Sequence, residues 1–276
     1  LSSSSAASDV YKRQAKNSKY VLFLDNDTEV ERNTIEMLRD AAERDPRCSI
    51  FQPRIVSYGN REETLEMGLA SDIFGIPKPI RRGKVEPFFA SGSGMLVRND
   101  AMRATGGFDS LLHFGAEELD LTWRARLLGY RVGTVPDAVV FHQTEGTRKR
   151  LSADRLYLAL RNTIRMLLKN YGFPLNFLIA CLFVIRIIVE GLMLLILSRV
   201  LDTMKDNVAY LATNQNEFPT LVMRFLSAIL WNLKKMKDTM YHHKRIQAFR
   251  VINDRVIVSA MTKNDFIYLS PSYSTV

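Results

Sequence analysis

Three short segments hold the residue types that could do chemistry in this chain. The first is Asp25-Asn26-Asp27, directly after the apolar run Tyr20-Val21-Leu22-Phe23-Leu24. Two carboxylates one residue apart at the carboxyl end of a strand can hold a divalent cation that also takes phosphate oxygens. Asp-Asn-Asp is equally good turn chemistry, so spacing alone leaves both readings open. The second segment is Glu117-Glu118-Leu119-Asp120. Carboxylates at a helix N-terminus are accounted for by the helix dipole. Read functionally, one of them is a general base beside a substrate hydroxyl. The third is His142, which ends the run Val139-Val140-Phe141. A lone histidine is usually a surface or hydrogen-bonded residue; beside an acidic pair it becomes a neutral imidazole ligand. Arg148-Lys149-Arg150 reads as a solvated basic run, or as a group that closes over a diphosphate.

Elements must bring these segments together. Tyr20 to Leu24 is continuous and rich in β-formers, as in a strand buried on both faces of a parallel sheet. Thr28 or Asn33 caps a helix expected over Thr34 to Arg44, with Pro46 beyond its end. Ile50 to Ser57 is a second strand broken by Pro53, and residues 58–87 are rich in glycine and proline. Phe88 to Arg98 is a strand interrupted by Ser91-Gly92-Ser93-Gly94. A short helix over Asp100 to Thr105 stops at Gly106-Gly107. Glu117 to Leu128 is a helix, followed by strands over Tyr130 to Val135 and Val139 to His142. This alternation predicts an α/β fold through residue 142.

From Ser152 onward the pattern turns to long helices, expected over Leu156 to Asn170, Leu175 to Val200 and Thr220 to Lys237. The second is almost wholly apolar and, at 26 residues, exceeds the ~20 that cross a bilayer. Arg186 and Glu190 near its centre oppose insertion, and standing four apart they can pair on one face. The third carries Leu221, Val222, Phe225, Leu226, Ile229, Leu230 and Leu233 beside Arg224, Lys234, Lys235 and Lys237. A basic amphipathic helix seeks a membrane surface, or packs on the protein with its basic face in water. Val251-Ile252 and Val256-Ile257-Val258 read as short strands.

The whole chain has 276 residues, 38 Lys+Arg against 29 Asp+Glu, and a formal charge of +9. At 47% hydrophobic and 24% charged residues it is neither disordered nor a saturated multi-span membrane protein. Cys48 and Cys181 are too few for a disulfide framework or a cysteine-rich zinc site. Surplus base points to an anionic partner. No zinc-finger, helix-turn-helix or RNA-binding signature speaks for nucleic acid. Residues 1–14 lack a signal-peptide pattern and read as an artefact or disordered leader. The remainder divides into 15–150, 151–250 and a tail over 251–276.

Taken together, four motifs resemble the inverting glycosyltransferases of family 2, of GT-A fold, and among them the polysaccharide and rhamnosyl-type members. They are Tyr20 to Val30 with its Asp-x-Asp; Ala90 to Arg98 followed by Gly106-Gly107-Phe108-Asp109; Gly115 to Tyr130; and Val135 to His142. The resemblance implies a partial, Rossmann-like GT-A domain over 15–150 followed by a membrane-associated helical region. It implies that Asp27, with Asp25 and His142, holds Mg²⁺ or Mn²⁺ against the diphosphate of a nucleotide-sugar donor. Glu118 takes the place of the catalytic base, where relatives usually carry Asp, and Glu117 that of the preceding Glu. Trp123, Asp120, Gly92 and Gly94 fall on the acceptor side, and Arg148 and Lys149 on the diphosphate. The implied acceptor is a glycan or lipid-linked hydroxyl, and the implied place the cytoplasmic face of a bacterial or archaeal cell membrane, peripheral or single-span. Family members carry further strands before the Asp-x-Asp strand. The chain is therefore expected to be a truncated portion, inactive alone.

Two other readings compete. Val21 to Thr28 also resembles the nucleophile motif of haloacid-dehalogenase-type phosphatases, with Asp25 as nucleophile and Asp27 as acid/base. The basic apolar helices alone would suit a non-enzymatic membrane-surface protein. Donor, acceptor, linkage and oligomeric state are not readable from the sequence.

Overall fold

The computed structural model describes residues 18–82, 86–112, 115–143, 153–200 and 218–262. Its axis is a ten-residue strand, Cys48–Ser57, buried almost throughout. Before it come β1 (Tyr20–Phe23), β2 (Thr28–Val30) and helix α1 (Thr34–Arg44), which makes the axis strand β3. After it come β4 (Thr64–Glu66), β5 (Leu69–Ser71), β6 (Pro77–Pro79), β7 (Met95–Arg98), α2 (Asn99–Thr105), α3 (Glu117–Leu127) and β8 (Arg131–His142). The main sheet runs β1-β7-β3-β8-β2, with β4 also on β3; β5 and β6 form a separate hairpin. Only β3 and β8 pair in parallel.

The period-two alternation of strands splits the core into two layers. Ile50, Met95, Val97 and Val132 turn to one face, where Leu121 and Ala125 of α3 cover them. Phe51, Leu96 and Cys48 turn to the other, under Leu38 and Ala42 of α1. Helices on both faces make this an α/β fold. Helix α1 starts after Asn33, whose backbone is left-handed (φ 69°) and whose side chain makes no cap bond. Instead the buried Thr34 hydroxyl donates to Val139 O at 2.8 Å and accepts from Val139 N at 3.1 Å. That exchange fastens α1 to β8.

Several expectations are corrected. Strand β1 is antiparallel to β7, from Tyr20↔Arg98 to Phe23↔Met95, and only half-buried. An apolar run reports burial but cannot tell parallel from antiparallel pairing. Thr28 caps no helix; it opens β2. The two strands expected over 130–142 are one, with a register jump from Pro53↔Val135 to Arg54↔Val139. Proline cannot donate to a ladder, and Pro136 lies in the skipped stretch. The strand expected from Phe88 is confined to Met95–Arg98. Val256 to Val258 is helical, within Asp254–Thr262, and Val251 and Ile252 donate to Leu127 O at 2.8 and 3.2 Å rather than forming a strand.

The described residues fall into two compact units that part at Lys149/Arg150 and at Lys244/Arg245. The second unit is helical: α4 (Ala153–Asn170), α5 (Leu175–Val200), α6 (Phe218–Lys234) and the first part of α7 (Met236–Phe249). The helix expected to run to Lys237 breaks at Lys235, where α7 begins anew. Helix α4 is buried on every side from Leu160 to Tyr171. Its Arg165 is fully enclosed, donates to Thr239 Oγ1 at 2.7 Å and pairs with Asp238 at 2.8 Å. Asn176, Ile179, Ala180 and Phe183 are the buried positions of α5. Helix α8 (Asp254–Thr262) belongs to the first unit, where Ile257 and Met261 are buried.

Candidate active site

Strand β1 delivers Asp25 and Asp27 into a tight turn, closed by the Thr28 hydroxyl donating to Asp25 O at 2.7 Å. Strand β2 then returns against the end of β8, with Thr28 opposite His142. Gln143 N donates to Asp27 O at 2.9 Å. Pinned in this way, the Asp27 carboxylate lies 3.3 Å from His142 Nε2. Ligand atoms of Asp25, Asp27 and His142 all fall within 4.8 Å of one another. Two carboxylates and an imidazole form a donor set that suits Mn²⁺ or Mg²⁺. The three predicted metal residues, distant in sequence, are thus brought together.

Helix α3 presents Glu117 and Glu118 from its first turn. The chain enters it through Gly115 (φ 78°) and Ala116 (φ 70°), both left-handed. Ala116 pays a steric cost there that glycine would not. Burial, then the neighbouring Glu117, Asp25 and Glu66, push the Glu118 carboxyl up to about 8. Burial likewise raises Glu117, whose Oε2 is enclosed without a hydrogen-bond partner. A carboxyl of raised pKa near a metal site is suited to take a proton.

The segment Ser91-Gly92-Ser93 joins the two groups. Gly92 has no room for a side chain, because a Cβ would run into Glu118 Oε1 and lie 3.6 Å from Asp25 Oδ1. The Ser93 hydroxyl donates to Asp25 Oδ2 at 3.3 Å. Ser91 N donates to Oε1 of the buried Gln52 at 2.6 Å. Ser91 also stands beside Glu66, a carboxylate of β4 outside the sequence-derived candidates. Burial raises Glu66 and Asp25 adds to it, while Ser91 and His142 lower it. One glutamate in a three-residue strand gives no periodic signal that would connect it with Asp25.

The acceptor-side residues find other uses. Trp123 is fully buried and meets Phe88 edge-on at 5.9 Å, so it is core and offers no face to a sugar. The 3.6-residue period of α3 places it inward on the face of Asp120, three positions before it, which its aromatic character alone does not reveal. Asp120 is fully buried and pairs with Arg124 at 2.7 Å. Arg124 also donates to Thr105 O at 2.6 Å, fastening α3 to the end of α2. Gly94 lies against Pro53, Ile55 and Val140, a packing position rather than a ligand contact. Gly92 makes space for Glu118. Arg148 and Lys149 lie outside the described residues.

Residues 20–204 match the model of glycosyl transferase family group 2. The chain belongs to this family. It is 33% identical over 129 residues to the pre-mycofactocin glycosyltransferase of two Mycobacterium tuberculosis strains, CDC 1551 / Oshkosh and ATCC 25618 / H37Rv. That match covers 45% of this chain and 26% of the relative, so the chain spans about a quarter of the curated relatives' length. Among solved structures it is similar to GalNAc-T7 with UDP, GalNAc and Mn²⁺, at 20% identity and a TM-score of 0.48, covering 61% of this chain and 35% of that one. It is also similar to mannosyltransferase PcManGT of Pyrobaculum calidifontis with GDP-Man and Mn²⁺, at 15% identity and a TM-score of 0.42, covering 95% and 67%. Membership of a glycosyltransferase family leaves the phosphatase reading of Asp25 and Asp27 without support.

Proposed function

We propose that this chain carries the catalytic site of a metal-dependent inverting glycosyltransferase. It moves a sugar from a nucleotide-diphosphate sugar to a hydroxyl of a glycan or lipid-linked acceptor in cell-envelope polysaccharide synthesis. The observation that carries the reading is the seating of Asp25 and Glu118 on neighbouring residues of one loop, with Asp27 and His142 beside Asp25. Mg²⁺ or Mn²⁺ held by Asp25, Asp27 and His142 would neutralise charge on a departing diphosphate. Glu118 removes the proton of the acceptor hydroxyl, and the freed oxygen attacks the anomeric carbon in a single displacement. Glu117 raises the proton affinity of Glu118 through like charge.

A panel of nucleotide sugars with Mn²⁺ tests the reading in the intact gene product. Asp27→Ala is expected to abolish turnover, and Asp25→Asn to reduce it less. Full turnover in Asp27→Ala would overturn the reading.

Membrane attachment at the cytoplasmic face is part of the same proposal. Helix α5 holds a 19-residue stretch, Leu175–Met193, of mean hydropathy 2.2, long and apolar enough to cross a bilayer. Leu178, Leu182, Ile185, Ile188, Val189 and Leu192 are exposed on it. Helix α6 divides its apolar residues: Ala228 is buried, while Val222, Leu226, Leu230 and Leu233 face outward at helical spacing. Exposed Lys234, Lys235 and Lys237 stand beside them and suit anionic headgroups.

A further inference from the structure

Glu66 is the one carboxylate at the site that the mechanism above leaves unused. Its placement follows from the sheet. Glu66 pairs with Ile55, and Ile55 pairs with Val140, so the three share one face across β4, β3 and β8. His142, two residues beyond Val140, points to the same face. Ser91, Gly92 and Ser93 then attend to one carboxylate each: Ser91 stands beside Glu66 and favours its charged form, Gly92 leaves space for Glu118, and Ser93 donates to Asp25. Ser91 is itself held through its N–H by Gln52, whose side chain is fully buried. The loop is therefore a fixed seat for three carboxylates, not a flexible connection.

Glu66 is not among the ligand atoms that gather within 4.8 Å at Asp25, Asp27 and His142. Among the described residues no lysine or arginine pairs with it. Placing a half-buried carboxylate beside others of like charge costs stability, and a neighbouring serine hydroxyl can fill only part of its acceptor capacity. Its remaining lone pairs call for a neutral hydrogen-bond donor. A sugar supplies such donors as hydroxyls.

We propose that Glu66 is a sugar-binding residue, accepting a hydrogen bond from a hydroxyl of the sugar held between the Asp25–Asp27–His142 group and Glu118. The assignment rests on the transferase reading. Either the donor sugar or the acceptor sugar can bring the hydroxyl, and the two sources are separable.

The test uses the intact gene product and its Glu66→Gln, Glu66→Asp and Ser91→Ala variants. Calorimetry measures UDP and GDP with Mn²⁺, then UDP-GlcNAc and GDP-mannose with Mn²⁺; transfer to a panel of alkyl glycosides gives acceptor KM. If the donor sugar is read, Glu66→Gln weakens nucleotide-sugar binding roughly tenfold while nucleoside-diphosphate binding is retained. If the acceptor is read, nucleotide-sugar affinity is retained and the alkyl glycoside KM rises by about the same factor. In both cases Ser91→Ala gives a smaller change in the same quantity, and Glu66→Asp restores part of the loss. Equal weakening of nucleoside diphosphate and nucleotide sugar would overturn the assignment, since Glu66 would then be acting on the metal group. A collapse of kcat with both affinities retained would overturn it too, making Glu66 the base. Absence of nucleoside-diphosphate binding in the unsubstituted protein would overturn the transferase reading itself, and this role with it.

Discussion

Single residues decide the chemistry of this site through space and charge. Gly92→Ala puts a methyl group against Glu118 Oε1 and displaces the proposed base. Turnover is expected to fall about 100-fold, because displacement of a reacting group by ~1 Å costs that much. The melting temperature should stay within a few degrees, which separates misplacement from unfolding. His142→Ala removes one of the three proposed ligands, and Mn²⁺ binding by calorimetry should weaken at least about tenfold. Glu118 makes stability depend on pH. Burial pushes its carboxyl up to about 8 in the folded chain, against an ordinary value of 4.5, so the protonated form is favoured by folding. The stabilisation is full below the unfolded value and is lost as pH rises through about 8. In metal-free protein the melting temperature should therefore fall between pH 5 and pH 8, and Glu118→Gln should flatten that slope. An unchanged slope in the variant would show that another group carries the dependence.

At the scale of elements, the short strand β2 has the largest consequence for its size. Three residues, Thr28–Val30, hold Asp27 against His142 by pairing with the end of β8. Bonds from Gln143 N to Asp27 O and from Glu31 N to Val139 O make 27, 29 and 31 the bonded positions, so Glu29→Pro removes an N–H from the pairing with Phe141. The expected result is weakened Mn²⁺ binding with little change in far-ultraviolet circular dichroism. Helix α3 shows how far its residues could be read beforehand. The position of its start was legible from three acidic residues in one turn, and its end from Gly129. The resemblance names Glu118 rather than Asp120 as the base, and the packing supplies the reason Asp120 stays apart: it lies on the same first turn but turns inward to Arg124. Trp123 likewise follows the helix period into the core. The register jump in β8 was hidden by Pro136, which reads as an end when sequence alone is considered.

The whole molecule joins an α/β unit that holds the site to a helical unit with exposed apolar faces. If α5 and α6 seat the protein on lipid, charge reversal and apolar loss should act on attachment and spare the site. Leu226→Glu with Leu230→Glu on α6 is expected to lower flotation with anionic vesicles several-fold and to leave Mn²⁺ binding at the first unit intact. Retained flotation would assign the exposed faces to protein contacts instead.

The sequence by itself determined the family, the α/β alternation through residue 142, and the metal and base candidates. These are local: a buried run ending in Asp-x-Asp, a triple-acid helix start and a histidine at a strand end each lie within a few residues. Tertiary structure alone decided the antiparallel pairing of β1, which face of α3 is covered and so carries Trp123 and Asp120 inward, the role of Gly92, and the place of Glu66 beside the site. Each depends on which strand lies beside which and on what occupies the space across a loop. Pairing and packing join residues dozens of positions apart, and no periodicity within one segment encodes them.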